Sequence, residues 1–275
     1  MPNSAPLGID AVRQVLATRA IGHCLHLHQE VSSTNAEALS LAQAGAAHGT
    51  VVVAESQTSG RGRQGRTWFS PPGTNVYCSI VVRSIALPMA WLSWIPLMSA
   101  LAVVQAVDRT IAIPLSLKWP NDLLLHERKV GGILCETSPA SSGDPIVVIG
   151  IGLNVNVPRD AFPATLQPVA ASLIEQSRRP IDRNRLIAHL LLAIEQRLDE
   201  LRLHGPARSR HDYIAHCATL GRSVRVVFGD QRELTGTAES IAADGALQVR
   251  VRPSPSSSES PLIDVRAADV MHVRG

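Results

Sequence analysis

Gly60-Arg61-Gly62-Arg63-Gln64-Gly65-Arg66-Thr67-Trp68 lies between two apolar runs, Thr50 to Glu55 and Asn75 to Val82, which read as buried strands. Three glycines let backbone N–H groups approach a ligand, and three guanidinium groups can neutralise phosphate oxygens. Nucleotide phosphates, a nucleic acid and bulk solvent are all compatible with such a loop. RNA-binding Arg-Gly tracts usually recur within disordered sequence, whereas this run occurs once and is bounded by strands, which favours a folded pocket. It has neither the GxxxxGK[ST] spacing of a P-loop nor a GxGxxG opening a helix, so the two common nucleotide folds are not indicated.

Outward from this loop, the apolar spacing predicts a short amphipathic helix over residues 9 to 20, carried by Ile9, Val12, Leu16 and Ala20. A strand near 24 to 28 follows. An Ala-rich helix with Ser33 or Thr34 at its N-cap then runs to Gly45. After the loop, a helix from about Ser93 to Asp108, with Pro96 in its first turn, precedes strands near 115–119, 122–125, 130–136 and 146–153. His126 to Lys129 would turn a hairpin. Ile187, Leu191, Ile194, Leu198 and Leu201 mark a core-facing helix. From Gly221 the pattern changes to short strands over 223–228, 233–240 and 246–251, with a turn at Asp244-Gly245 and a Ser/Pro-rich loop from Pro253 to Pro261. The expectation is an α+β fold: a large mixed β-sheet with packed helices in residues 1–220 and a small β-barrel in 221–275.

Composition narrows the function. A net charge of +3 over 275 residues is too slight to imply nucleic-acid binding. Of 26 basic residues, only Lys118 and Lys129 are lysines, and an Arg-rich background makes those two positions conspicuous. Cys24, Cys78, Cys135 and Cys217 have no paired spacing, so reduced thiols are expected. Alternation in a strand explains His23, His26 and His28 near Cys24 better than a metal cluster does. Residues 85 to 107 carry no charge, but their prolines and polar residues suit a helix under a sheet better than a membrane span. The N-terminus shows no secretory signal, so a cytoplasmic location is expected.

The second chemical cluster is Lys118-Trp119-Pro120-Asn121-Asp122, followed by Lys129-Val130-Gly131-Gly132-Ile133-Leu134. Pro120 fixes a bend at a strand end that lets Lys118, Asn121 and Asp122 converge on one ligand. The carboxylate and carboxamide suit magnesium, and the ammonium groups suit phosphate. An ordinary turn with solvated charges is the competing reading.

Ser33-Thr34-Asn35, Gly60 to Trp68 with Phe69-Ser70-Pro71, Lys118 to Asp122, Arg128 to Leu134, and Gly150-Ile151-Gly152-Leu153-Asn154-Val155-Asn156 resemble, in order, the motifs of biotin-protein ligases. The resemblance runs from about residue 25 onward. It implies a catalytic domain like that of class II aminoacyl-tRNA synthetases and an SH3-like C-terminal barrel. It implies that biotin is activated by ATP and passed to a lysine of a biotin carboxyl carrier domain, with Mg2+ assisting. Ser33, Thr34 and Gln57 would meet the ureido group, helped by backbone at Arg61 and from Gly131 through Gly132 to Ile133. Arg61 and Arg63 would close over the ligands, Arg66 would reach the ATP phosphates and Trp68 would form an apolar wall. Lys129 would bridge the biotin carboxylate and the α-phosphate. Lys118, Asn121 and Asp122 would serve polyphosphate and metal, the last two as metal ligands. Asn154 would hold the adenylate, and Asn35, Gly60 and Asn156 complete the implied set.

Gln64 departs from relatives with another Arg there. No helix-turn-helix precedes the first motif, which removes the usual basis for transcriptional control. Nucleic-acid and membrane partners are not expected, and a monomer or weak homodimer is. Lipoate-protein ligase is the nearest alternative activity. A ligand-responsive nucleic-acid-binding module is a more distant one.

Overall fold

The computed structural model describes residues 5–83, 87–138, 145–251, 260–266 and 268–273. In chain order the elements are α1 (Ile9–Val15), β1 (Leu25–Val31), α2 (Thr34–Gln43), β2 (Val51–Gln57), β3 (Val76–Val82) and α3 (Trp94–Ile111). Next come β4 (Ser116–Lys118), β5 (Asp122–Leu125), β6 (Arg128–Ser138) and β7 (Ile146–Leu153), then α4 (Ile174–Ser177), α5 (Arg183–His204) and α6 (Ala207–His216). The chain continues through β8 (Ser223–Val227), β9 (Glu233–Ile241), β10 (Leu247–Val251), β11 (Leu262–Val265) and β12 (Asp269–His272).

The first seven strands form one sheet in the order β1-β2-β3-β7-β6-β5-β4, and the last five form a second in the order β11-β10-β9-β8-β12. The large sheet is mixed: β1 and β2 run parallel, and its other pairings are antiparallel. Alternation along the strands decides which side chains reach which layer. Val51, Val53, Cys78, Ile80, Val147, Ile149 and Ile151 enter the main core with α3 and α5. Val52, Val81, Ile146 and Val148 on the opposite face meet Ala38 and Ala42 of α2. The small α2 covers only part of that face, and the remainder is where the cleft lies.

Twelve residues of α3 are buried, which matches its uncharged sequence, and Pro96 sits in its first turn. Among the described residues no helix is long and apolar enough to cross a membrane. Asp182 caps α5 through the Asn184 and Arg185 amides, at 2.9 and 3.2 Å. Such a cap stabilises by about 1 kcal/mol. Arg183, on the first turn, is buried and pairs with Glu55 of β2 at 2.6 Å, which ties α5 to the sheet.

The second sheet shares the main core. Trp94 Nε1 donates to the Ala243 carbonyl at 2.8 Å, and Trp119 Nε1 donates to the Gly245 carbonyl at 3.0 Å. These bonds seat the Asp244-Gly245 turn beside the start of α3.

Several expectations need correction. The N-terminal helix ends at Val15 rather than near 20, because Leu16 is already extended and Gly22 takes a positive φ of 88°. The polar α6 has only Ser209 and Tyr213 buried and left no apolar stripe to read. The hairpin turn is shorter than expected: His126 and Glu127 alone form the loop, with φ of 47° and 65°, as a two-residue primed turn requires. Most of the expected Pro253–Pro261 loop lies outside the described residues. The four cysteines are free: Cys78 and Cys217 are buried, Cys135 is half-buried and Cys24 is exposed. Cys24 Sγ approaches His26 Nε2 at 3.4 Å, but no metal-holding group of three occurs among the described residues.

Candidate active site

A cleft of about 750 Å³ opens on the part of the large sheet that α2 leaves uncovered. Its floor comes from β6 and β7, where Gly132 pairs with Gly152 and Leu134 with Gly150. These glycines are sites of close approach. A Cβ on Gly150 would stand 2.1 Å from Asn35 Oδ1, and one on Gly152 would stand 2.7 Å from the Trp68 ring. Real side-chain contacts of that length do not occur, so the bare backbone admits Asn35 at one end and Trp68 further along.

Around Asn35 the lining is neutral and polar. Ser33, Thr34 and Asn35 are buried at the start of α2. Ser33 holds the N-cap position, yet its side chain makes no capping bond. Gln57 Oε1 instead accepts the Thr34 N–H at 2.9 Å, while Gln57 Nε2 donates to Ser70 Oγ at 2.9 Å. Ser79 Oγ lies 2.6 Å from Asn35 Oδ1 and 2.8 Å from Thr34 Oγ1. Ser79 belongs to none of the sequence motifs. Its position one pleat from the buried Tyr77 is the only local sign. Donors and acceptors fixed in this way suit a neutral, multiply hydrogen-bonding head group, whose burial without partners would be costly.

Further along, the lining becomes cationic. Lys129 Nζ lies 2.5 Å from Asp122 Oδ1 and 5.5 Å from the Trp68 ring centroid. Lys118 lines the same cleft, and burial lowers its pKa, with Asp122 opposing that shift. Arg63 Nη1 donates to Asn121 Oδ1 at 3.2 Å, and its Nη2 reaches the Ala268 carbonyl at 3.4 Å. Burial lowers the Arg63 pKa as well. Arg66 makes an ion pair with Asp269. Arg61 pairs instead with Glu136 at 2.9 Å.

The structure thus gathers Ser33, Thr34, Asn35, Gln57, Arg61, Arg63, Arg66, Trp68, Lys118, Asn121, Asp122, Lys129, Gly132, Ile133 and Asn154 around one cleft. Gly60 and Gly131 support it from outside the lining: a Cβ at Gly60 would stand 2.6 Å from Ser70 Oγ, and one at Gly131 would crowd the Gly152 carbonyl at 3.0 Å. Asn156 is not brought to the cleft. Its amide bonds the Ile181 backbone in both directions at 2.9 and 2.8 Å, so it braces the approach to α5. Asn154 reaches the cleft, but its Nδ2 is already bonded to the Ala171 carbonyl at 3.0 Å.

Two parts of the lining were not foreseen. Phe162, Leu166, Val169 and Ala170 form an apolar wall, docked because Lys129 N–H donates to the Val169 carbonyl at 2.8 Å. Arg225, Val227, Glu233, Asp269, Val270 and Met271 come from the second sheet and close the cationic end.

Residues 27–156 match the biotin/lipoate A/B protein ligase family. A Bacillus spizizenii protein named bifunctional ligase/repressor BirA is 36% identical over 226 residues, 82% of this chain and 68% of its own length. A Mycobacterium tuberculosis protein named biotin–acetyl-CoA-carboxylase ligase is 36% identical, over 89% of this chain and 87% of its own. The chain belongs to the biotin protein ligase family. Within that family, the solved Aquifex aeolicus biotin protein ligase in complex with biotin and ATP superposes with a TM-score of 0.76. The two are 26% identical, and the match covers 91% of this chain and all of that one.

Proposed function

We propose that this biotin protein ligase activates biotin with ATP to biotinyl-5'-AMP and transfers the acyl group to a specific lysine of a biotin carboxyl carrier domain. One observation carries the reading. A single cleft has a neutral hydrogen-bonding end at Thr34, Asn35 and Gln57 and a cationic end at Lys118, Arg63 and Arg66, with Lys129 and Trp68 between them.

In the first half-reaction a biotin carboxylate oxygen attacks the α-phosphorus of ATP, and pyrophosphate leaves. Two anions must approach each other, so charge neutralisation and alignment do the catalysis. Lys129 would bridge the carboxylate and α-phosphate, held above Gly132 and against Trp68. Arg63 and Arg66 would take phosphate oxygens, and Lys118 would serve the polyphosphate. Ser33, Thr34, Gln57 and the backbone near Gly132 would hold the ureido group. Asn154 would contact the adenylate with its remaining amide capacity.

Magnesium fits a site with few protein ligands, since it keeps waters and phosphate oxygens around it. Asp122 offers a carboxylate oxygen and Asn121 its amide oxygen, the latter once Arg63 turns to phosphate. Bound there, the ion would supply charge neutralisation on the polyphosphate.

In the second half-reaction the neutral ε-amine of the acceptor lysine attacks the acyl carbon, and AMP departs. Closure of the arginine loop would keep water from the mixed anhydride until then. We further propose that residues 1–220 form a catalytic domain of the class II aminoacyl-tRNA synthetase type and residues 221–275 an SH3-like barrel. On this reading the protein works in the cytoplasm as a monomer or weak homodimer, with no nucleic acid or membrane taking part.

Incubation with apo-carrier, ATP and magnesium, and either biotin or lipoate, tests the assignment by mass spectrometry. Biotinyl-lysine is expected. Lipoyl-lysine as the main product would overturn it.

A further inference from the structure

The polar network of the acid end continues past the cleft to a residue that lines none of it. Glu136 projects from the same face of β6 as Gly132 and Leu134, one pleat beyond the floor, and pairs in register with Val148. Its Oε2 accepts from Arg61 Nη2 at 2.9 Å and from Asn35 Nδ2 at 2.7 Å. A carboxylate only accepts, so the Asn35 amide cannot flip: Nδ2 faces Glu136 and the Leu134 carbonyl, and Oδ1 faces the Ser79 hydroxyl.

The polar contacts therefore run from Arg61 through Glu136, Asn35, Ser79, Thr34, Gln57 and Ser70 to the Trp68 carbonyl. Both ends lie on the arginine loop. The Trp68 N–H bonds the Gly60 carbonyl at 2.8 Å and closes the circuit. The other two loop arginines point elsewhere, Arg63 to Asn121 and Arg66 to Asp269.

We propose that Glu136 is a positioning residue that tethers Arg61 to the acid end, so that the first loop arginine latches the loop over the acid while Arg63 and Arg66 serve the nucleotide. The inference rests on the cleft being the biotin and ATP site. Glu136 touches neither substrate; it acts through Arg61 and Asn35. The tether is charge-assisted but partly exposed, with 26% of the Glu136 side chain and 43% of the Arg61 side chain accessible, so its contribution is moderate.

Glu136→Gln separates the two partners. The amide oxygen can still accept from Asn35, while the charge that holds Arg61 is gone. With the full-length chain, the KM for biotin in pyrophosphate release should rise about three- to tenfold, and the KM for ATP should change less than about twofold. Tryptic cleavage within Arg61 to Arg66 should quicken, and biotin should protect the loop less. Arg61→Ala combined with Glu136→Gln should raise the biotin KM no further than Arg61→Ala alone.

A rise in the ATP KM instead, additive effects in the double variant, or unchanged loop cleavage would overturn the tether. If the wild-type chain released no pyrophosphate with biotin and ATP, the functional reading would fail instead. The cleavage comparison, which needs no turnover, would still judge the tether.

Discussion

Gly152→Ala adds one methyl group where the structure has least room. The new Cβ would stand 2.7 Å from both Cε2 and Nε1 of Trp68. Ordinary carbon contacts begin near 3.5 to 4.0 Å, so the indole must retreat by roughly 1 Å. Overpacking a closed core costs about 1–3 kcal/mol. Trp68 borders the cleft and can yield outward, so the lower end, about 1 kcal/mol, is expected. For a chain of this size that is a fall in Tm of about 2–4 °C. The functional effect should be larger. Trp68 also packs beside Lys129, whose Nζ lies 5.5 Å from its ring, so on the proposed function a displaced indole widens the point where the carboxylate and α-phosphate would meet. A misplacement of about 1 Å costs on the order of a hundredfold in rate. Thermal unfolding together with steady-state pyrophosphate release would measure both effects. Combining Gly152→Ala with Trp68→Ala should recover stability relative to the sum of the single changes, since the clash is gone. A Tm loss above about 8 °C with kcat unchanged would refute the reasoning, because it would place the strain in the core rather than at the cleft.

Other expectations follow from single contacts. Lys129→Ala removes the charge proposed to bridge the two anions and leaves Asp122 without its 2.5 Å partner, so kcat for adenylate formation should fall about 10²- to 10³-fold in a pyrophosphate assay. Asp269→Asn frees Arg66 from its ion pair, and the KM for ATP should fall while the KM for biotin holds, as read from initial rates. Glu55→Ala removes the carboxylate facing the buried Arg183 guanidinium, which keeps only its other bonds, among them those to the Asn75 and Ala5 carbonyls, and should cost about 3–5 kcal/mol in urea unfolding. Burial, with Lys118 and Arg222 nearby, lowers the pKa of His272 to about 4 from the usual 6.5. The unfolded chain therefore takes up this proton first as the medium acidifies. The stability His272 contributes is complete above about pH 6.5 and is lost as the pH falls towards 4. His272→Asn should flatten the urea midpoint across that window.

The sequence disclosed what is local. Continuous apolar runs at Val51–Val53 and Ile146–Leu153 marked the buried strands, and the uncharged run to Val107 marked α3, because each signal lies within one element. The two lysines were legible because lysine is rare in this Arg-rich composition, and the loop arginines because they alternate with glycines between two strands. What stayed hidden depends on distant parts of the chain. Phe162 to Ala170 joins the cleft through a parallel bridge at Lys129, whose N–H donates to the Val169 carbonyl and whose carbonyl accepts from the Ala171 N–H, and nothing in its Pro- and Ala-rich sequence announces that bridge. Asn156 looked like a ligand-holding asparagine, but residue type does not reveal direction, and its amide is consumed by Ile181. Glu136 was invisible for a related reason. Its partners, Asn35 and Arg61, lie 101 and 75 residues away.

The roof that β12 lays over the cationic end sets a timing for synthesis. The cleft draws side chains from Ser33 through Met271, so its first and last contributors are made almost a whole chain apart. During translation the large sheet can assemble, since domains fold as they emerge, N-terminal parts first. Until Asp269 leaves the ribosome, however, Arg66 lacks its partner and the cationic end stands open to water. Closure of the cationic end is thus one of the last events in the assembly of the molecule.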